Sequence, residues 1–366
     1  MMTTLASLMP EGWFAGGNMI ALFAVAVVAM VVVIFGADWL VEGAAGIAER
    51  LGMPKVIVGA TIVSLGTTAP ETAVSVLAAF SGNAGLALGN GVGSIIVDTG
   101  LIFGLGCVMV ALPADKFVLT RQGWVQFGSA LLLAGLCWGL FVMHRSEAQI
   151  GWPVGVLFLA LLAGYLAISV RWAKQHPHGE PHLVESAKPD GTSEVELDHP
   201  VAKKSLAALF GLGLVGLVLV IVAGDGLVGS VSELARQWGM PDAVIASTIV
   251  ALGTSLPELV TGLQSIRKGH AELLVGNVIG ADILNVLFVI GASATVAPLS
   301  IAYDNATQQP TTILIYIALP AMMVMLLYFR LCIFKAAKDG QFSRWMGWPL
   351  LAMYAAFAVV TYVMAK

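Results

Sequence analysis

The sequence predicts an all-α polytopic membrane protein: ten transmembrane helices arranged as two inverted-topology repeats of five. Three observations predict it. The first is scarcity of charge. Lys and Arg number 18, Asp and Glu 22, in 366 residues; that is 11% charged against 58% hydrophobic, with a mean hydropathy of +0.90. Soluble domains carry about 25% charged residues. So few charges cannot clothe a water-facing surface, whereas lipid solvates the outside of a polytopic protein. An ordinary water-soluble enzyme, a nucleic-acid binder and a disordered scaffold are excluded. The second observation is a series of ten apolar runs. The third is an internal repeat at a constant offset.

The apolar runs, each long enough to cross about 30 Å of hydrocarbon, span 18–37, 54–80, 84–112, 124–143, 152–170, 205–224, 243–266, 272–298, 312–334 and 346–365. Residues 1–49 hold no Lys or Arg, so the first run lacks the basic region of a cleaved signal and reads as a mature helix. Residues 174–204 are polar, Pro/Gly-punctuated and without apolar period, a linker between repeats 1–173 and 205–366. Fifteen of the 18 Lys and Arg residues fall in loops after odd-numbered spans; Arg145, Arg236 and Lys366 fall on the other side. The positive-inside rule therefore puts the linker in the cytoplasm and both termini outside, in a plasma (inner) membrane.

The repeat is specific. Residues 59–104 align without a gap onto 246–291, offset by 187, with 16 of 46 positions identical. The shared strings are T-I-V-x-L-G-T-x-x-P-E and G-N-x-x-G. The offset also matches Gly52-Met53-Pro54 to Gly239-Met240-Pro241, and Asp38 to Asp225. Leu/Val/Ala bias produces scattered matches, not shared strings of this kind. Because each repeat holds an odd number of spans, the second enters the membrane from the opposite side. Inverted repeats of this kind mark transporters, with binding near the midplane.

Four acids lie deep in the spans: Glu71, Asp98, Glu258 and Asp282. No base lies equally deep. Each such acid costs about 2.5–3.5 kcal/mol on insertion scales unless protonated, paired or bound to a cation. A single one reads as a protonated carboxyl on a neighbouring helix, but Glu71 and Glu258 recur at matched positions. Ser64, Thr67 and Glu71 share a helix face, as do Ala251, Thr254 and Glu258. Pro70 and Pro257 free the carbonyls of Gly66 and Gly253. Thr68 and Ser255 add hydroxyls. Asn90, Ser94 and Asp98 lie on one face of the next span, opposite Asn277, Ala281 and Asn285 in the second copy. This is an all-oxygen set without His or Cys, which suits a hard cation; Ca²⁺ takes 6–8 flexible oxygen ligands, and Na⁺ can use the same atoms. Ionised, Glu71, Glu258 and Asp98 carry enough charge for one Ca²⁺ and a proton, or several Na⁺.

These strings resemble the α-1 and α-2 repeats of the calcium:cation antiporter superfamily, and within it the bacterial and archaeal sodium/calcium exchanger branch. The likeness covers nearly the whole chain outside the linker. It implies a ten-helix fold with ion sites on spans 2, 3, 7 and 8, and no enzymatic activity. It also implies Ca²⁺ export driven by Na⁺ influx through alternating access, with no cofactor, no nucleic acid and no obligate protein partner, as a monomer in the bilayer. By the same resemblance Glu71 and Glu258 would be the principal Ca²⁺ ligands, joined by Thr67 and Thr254. Ser94 and the backbone around Ser64 and Ala251, with Thr68 and Ser255 close by, would form Na⁺ sites, and Asp98 and Asn285 would complete the centre. Spans 1 and 6 would slide over a rigid core, with Gly211, Gly213 and Gly216 permitting close contact.

Three positions depart from the family. Asp98 stands where the family has an amide and Asn285 where it often has an acid, which puts K⁺ co-transport in doubt. Ala281 lacks the hydroxyl of Ser94. Asp282 stands opposite Ile95 and reads equally as a ligand or as a protonated or water-facing acid. Ca²⁺/H⁺ exchange is an alternative on the same scaffold, although neither Gly-Asn pair is followed by the acid of the proton-coupled pattern. K⁺-dependent exchange is a second alternative, and a cation channel is a remote one.

Weaker signals remain. Asp38 and Asp225 read as helix caps or kinks at the ends of spans 1 and 6, or as gating residues. His176, His178 and His182 read as a solvated cluster rather than a metal site. Trp13, Trp124, Trp152 and Trp348 read as interfacial anchors. Cys107, Cys137 and Cys332 read as small hydrophobes in helices.

Overall fold

The computed structural model describes residues 14–80, 82–175, 204–238, 251–301, 303–304, 309–310 and 313–364. The helices are α1 (Met19–Leu51), α2 (Lys55–Thr67), α3 (Ala69–Phe80), α4 (Ala84–Met109), α5 (Lys116–His144), α6 (Trp152–Gln175), α7 (Leu206–Gln237), α8 (Ala251–Thr254), α9 (Leu256–Arg267), α10 (Ala271–Val296), α11 (Leu314–Asp339) and α12 (Gly347–Met364). Among the described residues eight helices are long and apolar enough to cross a membrane, or nine if the bent pair α2–α3 counts as one span. Ten were expected from sequence. The seventh expected span, 243–266, begins outside the described residues, as do Gly239-Met240-Pro241, Trp13 and the linker histidines. Three two-residue antiparallel pairings, such as Leu112–Pro113 with Gln341–Phe342, qualify the all-α expectation.

α1 corrects the expected span of 18–37. It starts on Asn18, whose side chain accepts from Ile20 N–H, and ends at Gly52 in the left-handed region (φ 60°). Its 33 residues extend about 50 Å at 1.5 Å each. The apolar run stops at Asp38, but the helix does not, because its polar half finds partners. Lys268 lies 2.9 Å from Asp38, Gln264 donates to Asp38 at 2.7 Å, and Lys204 donates to Glu42 at 2.6 Å. Asp38 is thus a mid-helix ion-pair partner, not a cap. Asp225 likewise lies inside α7.

α2 and α3 meet at a 45° bend on Thr68. Proline explains the position: Pro70 cannot donate to the carbonyl one turn back, so the helix restarts. Four of the helices also widen into π turns, at Gly59–Val63, Val97–Phe103, Asn285–Ile290 and Leu314–Ala318, the second and third at nearly matched repeat positions. Such turns leave carbonyls unpaired and gather at functional sites. One is taken up directly, as Tyr165 Oη donates to Ala60 O at 3.1 Å.

Burial separates two regions. In the most apolar stretch of α10, 94% of residues are buried, and in α4 72%; in α1 and α7 only 22% are. α1 and α7 instead pack on each other, backbone to backbone. A Cβ at Gly216 would stand 2.5 Å from Gly36 O, and one at Gly43 2.7 Å from Gly213 N. Gly213 and Gly216 therefore serve close contact as expected, but Gly211 meets nothing within 4 Å. Around α4 and α10 the core is aromatic and aliphatic, with Phe103 and Phe329 at 4.5 Å between ring centroids. Cys107, Cys137 and Cys332 are buried and free.

Candidate ion-binding site

The site forms where the N-termini of α3 and α9 meet α4 and α10. Glu71 and Glu258 lie in the first turns of α3 and α9, each three residues after a hydroxyl residue. Thr68-x-x-Glu71 and Ser255-x-x-Glu258 are capping-box spacings, in which the hydroxyl ordinarily caps its own helix. Here neither does so. Thr68 Oγ1 donates to Glu258 Oε1 at 3.4 Å, and Ser255 Oγ donates to Glu71 Oε1 at 3.5 Å. Each hydroxyl thus reaches the glutamate of the other repeat. Both carboxylates also sit at the positive end of a helix dipole.

The next ring follows the same exchange. Thr67 Oγ1 donates to Asn277 Oδ1 at 3.3 Å, and Thr254 Oγ1 to Asn90 Oδ1 at 3.5 Å. Asn285 Nδ2 donates to Asp98 Oδ2 at 3.4 Å, joining two residues that are each other's counterpart at the 187-residue offset. Every one of these contacts therefore has its partner contact 187 positions on, or is its own. Asn90 also donates to Glu71 O at 3.2 Å and Ser75 Oγ at 2.9 Å, tying α4 to α3.

Glu71, Glu258, Asp98, Asn285, Asn277 and Ser255 are each about 1% exposed, and Thr67 and Thr68 are fully buried. The charges of Glu71, Asp98 and Glu258 are close enough to act on one another. Four buried oxygens have no hydrogen-bond partner: Glu71 Oε2, Glu258 Oε2, Asp98 Oδ1 and Asn285 Oδ1. Each belongs to a residue whose other polar atom is hydrogen-bonded across the repeats. Leaving such atoms bare costs about 1–3 kcal/mol apiece, more for charged groups. The donor set is oxygen only, and so fits a hard cation.

The remaining expected residues divide. Ser94 is buried on α4. Ser64 is buried against α10, where a Cβ at Gly280 would stand 2.6 Å from its hydroxyl. Ala251 opens α8. Asp38 and Asp225 lie away from this ring, on the α1–α7 pair. Asp282 is 2% exposed, so the water-facing reading is corrected; it bonds Thr99 and Gln126 instead of the ring. Thr99, Gln126, Ser75 and Tyr165 were missed from sequence because none has a polar counterpart at the 187-residue offset. Gln126, an amide within the apolar run 124–143, and Gln122 just ahead of that run were the available signal.

Comparison with known proteins places the chain in a family. The family model for sodium/calcium exchanger proteins matches residues 21–171 and 208–363. CaxA of Alkalimonas amylolytica is 34% identical over 271 residues, covering 74% of this chain and 79% of that one. The sodium/calcium exchanger MaX1 of Methanosarcina acetivorans is 27% identical over 360 residues, 93% of this chain and 98% of its own. Among solved structures, the sodium-calcium exchanger NCX_Mj soaked with Na⁺ and Sr²⁺ superposes with a TM-score of 0.71 at 25% identity, covering 93% of this chain and 98% of that one. A multi-pass membrane protein with a buried, oxygen-lined ring between its two halves, this chain belongs to the sodium/calcium exchanger family.

Proposed function

We propose that this protein exchanges Ca²⁺ for Na⁺ by alternating access, with Na⁺ influx driving Ca²⁺ export. The four partnerless buried oxygens of Glu71, Glu258, Asp98 and Asn285 carry this reading. Ca²⁺ binds between the two glutamates, with Thr67 and Thr254 contributing oxygens. Na⁺ ions use the same glutamates and the flanking positions of Ser94, Ser64, Thr68, Ser255 and Ala251. Three carboxylates suit both cargoes: a divalent ion leaves one negative charge, and several monovalent ions remove it. The two cargoes thus compete for one set of oxygens, which is what couples their fluxes.

The two-fold exchange of hydrogen bonds supports two inverted five-helix repeats, 1–173 and 205–366, flanking a cytoplasmic linker at 174–204, with both termini outside an inner membrane. α1 and α7 are the moving pair, gripping each other through glycine and the buried ring only lightly. The test is ⁴⁵Ca²⁺ flux in liposomes under imposed Na⁺, K⁺ or H⁺ gradients. Na⁺-driven flux, abolished by Glu71→Ala or Glu258→Ala, is the expected result. Flux driven only by H⁺ would favour the proton-coupled alternative, and flux surviving either substitution would refute the site.

A further inference from the structure

A carboxyl outside the ring lies beside it. Asp282 is on α10, three residues before Asn285, and its counterpart in the other repeat is Ile95. Its Oδ2 accepts two hydrogen bonds, from Thr99 Oγ1 at 2.6 Å and Gln126 Nε2 at 2.6 Å. Its Oδ1 is buried with no partner. Gln122, one turn before Gln126 on α5, is fully buried with both amide atoms unpartnered. Thr99 directly follows Asp98, and Asn285 is one turn from Asp282, so this carboxyl is held on the same two helices, α4 and α10, as the ion site.

The chemistry around Asp282 selects its ligand. A bare buried carboxylate with no neighbouring base costs several kcal/mol. A metal ion at Oδ1 would need several more oxygens. Its other oxygen, Oδ2, is already used twice, by Thr99 and Gln126. A proton needs only Oδ1 and neutralises the group, while Oδ2 keeps both donors. Of the elements packed on α10, α4 brings Asp98 close enough to act on Asp282, α9 carries Glu258 and α3 Glu71, and α6 carries Tyr165, whose hydroxyl donates to Ala60 O. The part of α5 packed here carries amides and a hydroxyl, Gln122, Gln126 and Ser129. Arg330 of α11 lies against Thr120 and Trp124 of α5. Lys55 and His270 pair with each other ahead of the first turn of α10.

We propose that Asp282, held by Thr99 and Gln126, is a proton-binding site beside the ion ring, and that its proton and the ring's cation are mutually exclusive in degree. The O–H bond forms on Oδ1 with a proton from water reaching the ring, and breaks to return it there. A cation bound one turn away disfavours the proton, and by linkage the proton weakens the cation. This coupling, unlike the proton site itself, rests on the proposed reading of the ring.

Infrared pH titration of the full chain tests the site without transport. The wild type should show a protonated carboxyl band that declines as pH rises and is missing in Asp282→Asn; identical spectra would overturn the proposal. If that variant does not fold, Thr99→Val serves. It removes one donor to Oδ2, so the band should persist to higher pH, and an unmoved band refutes the assignment. The coupling is read as proton release on adding Ca²⁺ in weak buffer. Asp282→Asn should release about one proton fewer per ion. Equal release overturns the coupling, and loss of Ca²⁺ binding at every pH in that variant makes Asp282 a ligand instead. A wild type with the band but no Ca²⁺ binding defeats only the reading of the ring.

Discussion

α7 and α10 are both long apolar helices carrying a central acid, yet they occupy opposite environments. Almost all of the apolar stretch of α10 is buried, against 22% in α7. The difference follows from what each packs against. α10 is enclosed by α2, α3, α4, α5, α6 and α9 and turns Asn277 and Asn285 into the ring. α7 packs mainly on α1, touching α2 through Leu217 at Gly66 and α8 through Val228 at Gly253. Side chains that hold a cation need rigid walls on every side, whereas a pair that moves as a unit needs few contacts with the core. On the proposed reading, the chain separates binding from motion by how many neighbours each helix has.

This contrast can be broken at the ring first. Glu258→Gln leaves one glutamate without its counterpart and should lower Ca²⁺ affinity by about 100-fold or more, since removing one member of a buried charge set costs about 3–5 kcal/mol; equilibrium ⁴⁵Ca²⁺ binding measures it. Next, Asn285→Asp places a second carboxylate against Asp98, with which Asn285 bonds at 3.4 Å. It should shift Na⁺ or K⁺ dependence of flux by about tenfold, as one added buried charge is worth more than about 1 kcal/mol. Unchanged ion dependence would remove this position as a selectivity determinant.

The α1–α7 pair should respond differently. Gly216→Val drives a side chain into the Gly36 carbonyl and should destabilise the fold by about 1–3 kcal/mol, read as a lower Tm, while Ca²⁺ affinity of the folded fraction stays unchanged. Smallest is Lys268→Ala, which removes the half-exposed tie from α9 to Asp38 on α1. Such pairs are worth about 0–1 kcal/mol, so the exchange rate should change by no more than about fivefold with binding unaltered. A change in Ca²⁺ affinity from either substitution would mean that the two regions are not separable.

The ring residues were legible because they come twice. Thr67, Thr68 and Glu71 stand out only against Thr254, Ser255 and Glu258, and a repeat search is sensitive to that and blind to residues used once. Gln126 and Thr99, which hold Asp282, have no matching polar counterpart and so gave no such signal. The end of α1 was misread for a related reason. Hydropathy stops at Asp38, but Lys268, 230 positions along the chain, satisfies that acid and the helix runs on.

From the sequence alone came the membrane class, the offset of 187 and the paired intramembrane acids, because composition, repetition and desolvation cost are local properties of a chain. Tertiary structure decided who bonds whom. The capping-box spacing reads as two self-capped helix starts, yet each hydroxyl serves the opposite glutamate, since the first turns of α3 and α9 meet. It also decided that Asp282 turns to α5 while Asn285, one turn away, turns to the ring. Those outcomes depend on which helix stands opposite each face, and only packing sets that.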